Sequence, residues 1–202
     1  VEMFSGNQIG VLLCDFIVSV LKENGNMPNN PAVISTIVST LMIKEVCRVN
    51  HIDYFEVLTG FKYIGEKIAE FEKNNSNTFL LGFEESFGYL KGTYARDKDA
   101  VVAAMLITQM AMYYKNKNMN IKQAMDELYK KYGYFAEKTV SFSITDSVPM
   151  QKVAKIMTAL REDNSTRVAG TDVKAMRDYK SGIVKELKSG KVYNTNLPVA
   201  LL

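Results

Sequence analysis

A chain of 202 residues with 47% hydrophobic and 23% charged side chains has the make-up of an ordinary globular protein, long enough for one large domain or two small ones. A formal net charge of +3, from lysines and arginines that are scattered rather than striped, gives no argument for a nucleic-acid partner. No apolar run reaches the ~18 residues of a membrane span and no secretory pattern is present, so no membrane is expected. Cys14 and Cys47 each fall in an apolar helical pattern as buried thiols, which fits a reducing cytoplasm.

In chain order, Ser5 with Gln8 three residues on forms a capping box. Ile9, Leu12, Leu13, Phe16, Ile17, Val20 and Leu21 then recur at helical spacing, and Gly25 supplies a left-handed stop. The β-branched run 32–38 reads as a strand. Ser39 and Thr40 follow at its end, as N-caps of the next helix or as weak candidates for a ligand-facing loop. His51, the one histidine, lies at that helix's exit and is assigned no catalysis. A second strand over 54–58 leads into Thr59-Gly60-Phe61, where Gly60 allows close backbone approach and frees the amides at the start of a helix over 61–71. A third strand, 78–81, is expected to break at Gly82.

Strand, helix, strand, helix, strand predicts βαβ units in a mixed, mainly parallel α/β sheet with helices on both faces. The loops at Ser39-Thr40, Thr59-Gly60 and Glu84-Ser86 then leave one sheet edge, where α/β proteins hold ligands. If 84–86 stay extended, Glu84 and Ser86 share a face and Glu85 takes the other. A carboxylate beside a hydroxyl suits the neighbouring hydroxyls of a sugar, since one accepts while the other donates or accepts; a solvated acidic turn is the alternative. Arg96-Asp97-Lys98-Asp99 comes next, with Asp97 or Asp99 capping a helix over 99–114. That helix is apolar nearly all round and is expected to be buried on most sides. Asn120 and Gln123 open a further capped helix, which Gly133 ends. From Lys138 the pattern changes. Residues 139–144 alternate as a strand, 150–161 form an amphipathic helix and 171–179 resemble another strand region, so two domains are expected, 1–137 and 138–202, the second a partial α+β domain.

Gly82-Phe83-Glu84-Glu85-Ser86-Phe87-Gly88 resembles the sugar-binding loop of the α-D-phosphohexomutases, the phosphoglucomutase and phosphomannomutase superfamily, whose pattern is G-E-x-S-G or G-E-E-S-F-G. Ser5-Gly6-Asn7-Gln8-Ile9-Gly10 is similar to the S-G-N-Q-I-G that opens the family's third domain, and Leu58-Thr59-Gly60-Phe61-Lys62 resembles its T-G-[WF]-K turn. These signals stand in matching order over residues 5–116. The family's phosphoserine loop (T-A-S-H-N-P-like), its D-x-D-x-D-R metal loop and its R-x-S-G-T-E-P-like phosphate loop have no counterpart here. Asn196-Leu197-Pro198 is similar to the family's L-P-x-S-N-V-L, but the following Val199-Ala200-Leu201-Leu202 departs from it.

The resemblance implies a middle-to-late slice of a mutase that interconverts hexose 1-phosphate and hexose 6-phosphate through a bisphosphorylated intermediate. Its N-terminus, which enters an apolar segment without an initiator methionine, fits a slice of a longer protein. It implies Glu84 and Ser86 as sugar-binding residues, assisted by Lys98, Thr59 and Gly60, with Glu85, Arg96, Ser39 and Thr40 as weaker candidates. It implies no catalytic or metal-binding residue in this chain, with Mg2+ and glucose 1,6-bisphosphate as requirements of the whole cytoplasmic enzyme. The partners implied are a phosphosugar and the remaining domains of the same protein. A phosphopentomutase of the same superfamily and a non-catalytic sugar-phosphate-binding module are the alternatives.

Overall fold

The computed structural model describes residues 3–137, 150–163, 165–195 and 197. The chain divides into two compact units, Val1–Glu137 and Lys138–Leu202.

The first unit opens with α1 (Gly6–Glu23), started by the Ser5–Gln8 capping box: Gln8 N–H donates to Ser5 Oγ at 3.2 Å and Ser5 N–H to Gln8 Oε1 at 2.8 Å. β1 (Pro31–Thr36), α2 (Met42–Asn50), β2 (Asp53–Val57), α3 (Phe61–Asn74) and β3 (Thr78–Phe83) follow, then β4 (Tyr89–Leu90), α4 (Ala100–Asn116) and α5 (Ile121–Tyr132). The sheet order is β2-β1-β3-β4, with β1 parallel to β2 and β3, and β4 antiparallel to β3. Between Ala32–Phe79 and Val33–Leu81 the register skips Leu80, a bulge that turns the later residues of β3 toward the other face.

Helices cover both faces. On one, α3 packs Phe61, Ile64, Ile68 and Phe71 against Ala32, Ile34 and Phe79. On the other, α1, α2, α4 and α5 enclose Val33, Leu81, Phe83 and Tyr89. Burying these side chains stabilises the unit by roughly 1.5–3 kcal/mol for each large one. Asp15, in the middle of α1, is the polar junction of the second layer. Its carboxylate accepts from Tyr132 Oη at 2.9 Å, Tyr114 Oη at 3.2 Å and Lys131 Nζ at 3.3 Å, and Asn50 Nδ2 donates to Tyr132 Oη at 3.0 Å. Burial pushes the phenols of Tyr114 and Tyr132 up, and the neighbouring Asp15 charge adds to it.

Two local expectations fail. β3 does not end at Leu81 but runs through Gly82 to Phe83, both paired with β1 and β4, and the glycine serves packing instead. A Cβ at Gly82 would lie 2.7 Å from Ile64 Cγ2 of α3. And α4 is buried on one side only: Ala103, Leu106, Met110 and Tyr114 face the core, while Val101, Met105 and Met112 are exposed. The all-round apolar pattern reads as burial, but nothing within the described residues covers its outer face.

In the second unit α6 (Met150–Glu162) precedes the hairpin of β5 (Arg167–Val168) and β6 (Thr171–Asp172). The antiparallel sheet β7 (Ala175–Asp178), β8 (Ile183–Glu186), β9 (Val192–Asn194) follows. Arg161 Nε donates to Asp178 Oδ1 at 3.1 Å and ties α6 to β7. The strand expected over 139–144 lies outside the described residues, as do Asn196 and residues 198–202.

Candidate functional site

Because β1, β2 and β3 are parallel, the loops after them leave one edge, and hydrogen bonds join all three. The five-residue loop 84–88 connects β3 to β4 and is closed by Glu84 N–H donating to Gly88 O at 2.9 Å. Glu84 itself is buried, 8% exposed. Its Oε1 accepts the Gly60 N–H at 3.1 Å, and Gly60, at φ 115, is the N-cap of α3. The carboxylate therefore sits at the positive end of a helix, on an amide that has no partner within the helix. Glu85 turns the other way, toward β1, where its Oε2 accepts from Thr36 Oγ1 at 3.3 Å. Thr36 and Ser39 hydroxyls lie 2.9 Å apart, so one chain of hydroxyls ties the β1 loop to the 84–88 loop.

The first turn of α1 presses on the same loop. A Cβ at Gly6 would lie 2.1 Å from the Glu85 carbonyl oxygen and 2.9 Å from Phe87 N. Tyr89 Oη, buried beside it, donates to Gly6 O at 2.9 Å, and burial holds that phenol well above its ordinary value. Gly10, one turn on, faces the Phe83 ring.

Glu84 and Ser86 do not lie on a continuous strand. The backbone turns at Glu85 and Ser86, so strand alternation does not relate the two. Ser86 is exposed, as is Thr59, and neither side chain makes a hydrogen bond among the described residues. The stem of Lys98 and the Glu84 carboxylate both lie against Gly88. A Cβ on Gly88 would lie 3.1 Å from Glu84 Oε2, 3.2 Å from Lys98 Cδ and 3.4 Å from Phe61 Cδ2, so the bare Gly88 is the floor on which these groups meet. Lys98 Nζ is 3.1 Å from Asp97 Oδ1 and 5.6 Å from the centre of the Phe61 ring, with its side chain 55% exposed. The Lys98 backbone N–H and then its ammonium hold the Asp97 carboxyl below its usual value. Asp99 caps α4 through the N–H groups of Val101 and Val102.

The weaker candidates are engaged in structure. Arg96 pairs with Glu72 of α3 and donates to the carbonyls of Thr93 and Ala95. Ser39 is bonded to Thr36; the Thr40 hydroxyl accepts the Met42 N–H at 3.1 Å and donates to Glu137, and the Thr40 N–H donates to Asn7 Oδ1 at 3.0 Å. Sequence reasoning missed Thr36, which donates to Glu85, and gave Gly6 no role of its own; neither contact has a local signal. No three His, Cys, Asp or Glu side chains gather as metal ligands among the described residues.

Fold and edge together define an α/β domain whose three strand-end loops are joined through two adjacent carboxylates, the buried Glu84 and the half-buried Glu85. The family description "Phosphoglucomutase/phosphomannomutase, alpha/beta/alpha domain III" matches residues 5–132. The chain belongs to the phosphoglucomutase/phosphomannomutase family. It is 31% identical over 197 residues to a phosphoglucomutase of Staphylococcus epidermidis, covering 98% of this chain and 35% of that protein. It is 31% identical over 198 residues to a phosphoglucomutase of Staphylococcus aureus with the same coverage. Among solved structures, the open form of the Paramecium phosphoprotein pp63/parafusin, a phosphoglucomutase, shares the fold with a TM-score of 0.54 at 17% identity, over 95% of this chain and 31% of that one. The chain thus spans about a third of the length of the relatives it matches.

Proposed function

We propose that this chain is the sugar-gripping portion of a cytoplasmic phosphohexomutase. The whole enzyme would move phosphate between O1 and O6 of a hexose, with Mg2+ and glucose 1,6-bisphosphate acting at segments outside this chain. Alone, this chain holds substrate and does not turn it over. The observation that carries the reading is the buried Glu84 carboxylate, anchored by the Gly60 amide at 3.1 Å and flanked by Lys98 across the bare Gly88.

The Gly60 bond fixes one carboxylate oxygen and leaves lone pairs for sugar hydroxyls. Ser86 adds an exposed hydroxyl on the same short loop, able to donate and accept. Lys98, only loosely held by Asp97, supplies a mobile cation for a phosphate or hydroxyl oxygen. A grip of this kind reads hydroxyls lying between the two reacting ends of a hexose, so it serves the substrate in both orientations with one set of residues. Its contribution is positioning, which is worth orders of magnitude in rate when the reacting atoms depend on it. In the full-length protein Glu84→Ala should lower turnover at least ~100-fold, while Glu84→Gln, which keeps an acceptor for Gly60, separates loss of charge from loss of the anchor. A near-normal rate for Glu84→Ala would refute the assignment.

A further inference from the structure

Phe87 stands apart from every other residue of the 84–88 loop. Its φ is 65, in the left-handed region that bulky side chains avoid. A left-handed position in a short hairpin loop normally belongs to glycine, yet here the glycine comes one residue later. Gly88 is required for a different reason, since a side chain there would crowd Glu84, Lys98 and Phe61. The turn therefore forces a phenylalanine into the strained conformation.

Burial does not offset that strain. Phe87 is 61% exposed and belongs to neither core cluster, whereas its strand neighbours Phe83 and Tyr89 are buried. The surroundings hold the strained backbone in place. Gly6 abuts the Glu85 carbonyl and Phe87 N, Glu84 N–H closes the loop onto Gly88 O, and Thr36 fixes Glu85. Within the loop, the Ser86 hydroxyl and the Phe87 ring have no partner among the described residues. Strain kept by its surroundings at the rim of a ligand edge is where function is to be sought.

We propose that Phe87 is a sugar-stacking residue, offering its ring to the apolar C–H face of the phosphosugar whose hydroxyls Glu84 and Ser86 hold. This rests on the reading of the site given above. A sugar ring has hydroxyl edges and apolar faces. Carboxylate, hydroxyl and ammonium read the edges, and an exposed aromatic beside them completes the recognition, as ligand sites commonly combine an apolar wall with a few polar groups.

The test uses the 15N-labelled 202-residue chain, titrated with glucose 1-phosphate and, separately, with inorganic phosphate, as wild type, Phe87→Gly and Phe87→Trp. Phe87→Gly removes the strain, so its urea midpoint should rise, while its affinity for glucose 1-phosphate falls about five- to tenfold and that for phosphate holds. Phe87→Trp should keep the sugar affinity within about twofold. The proposal is overturned if Phe87→Gly binds the sugar phosphate as tightly as wild type, or loses phosphate in equal measure, since the second result would make loop shape rather than the ring responsible. Wild-type loop amides that ignore glucose 1-phosphate altogether would instead overturn the Glu84–Ser86 reading, and this proposal with it.

Discussion

Gly6→Ala sets two physical effects of opposite sign against each other. Helix propensity favours alanine, by up to about 1 kcal/mol in a helix interior and less at the first helical position. Geometry opposes it. The new Cβ would lie 2.1 Å from the Glu85 carbonyl oxygen, 2.8 Å from its carbon and 2.9 Å from Phe87 N. All three are backbone atoms, so no side chain can rotate out of the way, and α1 must part from the 84–88 loop by roughly 1 Å or more to restore ordinary contact distances. Overpacking of that kind costs about 1–3 kcal/mol, and weakening the buried Tyr89–Gly6 hydrogen bond adds about 1 kcal/mol. The net expectation is a loss of about 2 kcal/mol, or about 1 M in the urea midpoint at a slope typical of small domains. The chain has no tryptophan, so far-UV circular dichroism is the assay. A midpoint unchanged or raised would show that α1 and the loop are not in this contact, and would remove the account of how the loop is held.

Asp15→Ala should cost about 3 kcal/mol, because it leaves the Tyr114 and Tyr132 hydroxyls without their buried acceptor. Tyr132→Phe, which removes one donor, should cost about 1 kcal/mol in the same denaturation assay. Stability should also fall in alkali. Tyr89, Tyr114 and Tyr132 all have phenols raised by burial, and the unfolded chain ionises them near pH ~10. Their protonated forms are thus favoured by folding, so the full stabilisation is present below about pH 10 and is lost as pH rises beyond it. A spectrophotometric titration should show these three ionising only together with loss of helical signal; early, independent ionisation would contradict their burial.

Much of the architecture was legible in the sequence wherever the signal was local. The Ser5–Gln8 and Asn120–Gln123 boxes, the helical stripe from Ile9 to Leu21 and the Gly60 helix start depend on residues a few positions apart, and each forms as read. Gly82 was misread because a glycine in a strand looks like a break, whereas its cause is Ile64 on a helix 18 positions upstream. α4 was misread because periodicity reports what a helix could bury, and not which neighbours are present to cover Val101, Met105 and Met112. At the site, the motif located the loop, but strand alternation misdescribed it. Whether Glu84 turns toward Gly60 and Glu85 toward Thr36 is decided by partners 24 and 49 residues away. The pairing of Arg96 with Glu72 is hidden for the same reason, since Glu72 lies on α3.

If the three loops form a sugar-phosphate site, titrating the 202-residue chain with glucose 1-phosphate and glucose 1,6-bisphosphate should move their amide resonances. Saturable shifts, even at millimolar affinity, are expected to be confined to the loops around Thr59, Glu84 and Lys98. No shifts at saturating ligand, or shifts centred elsewhere on the chain, would contradict such a site.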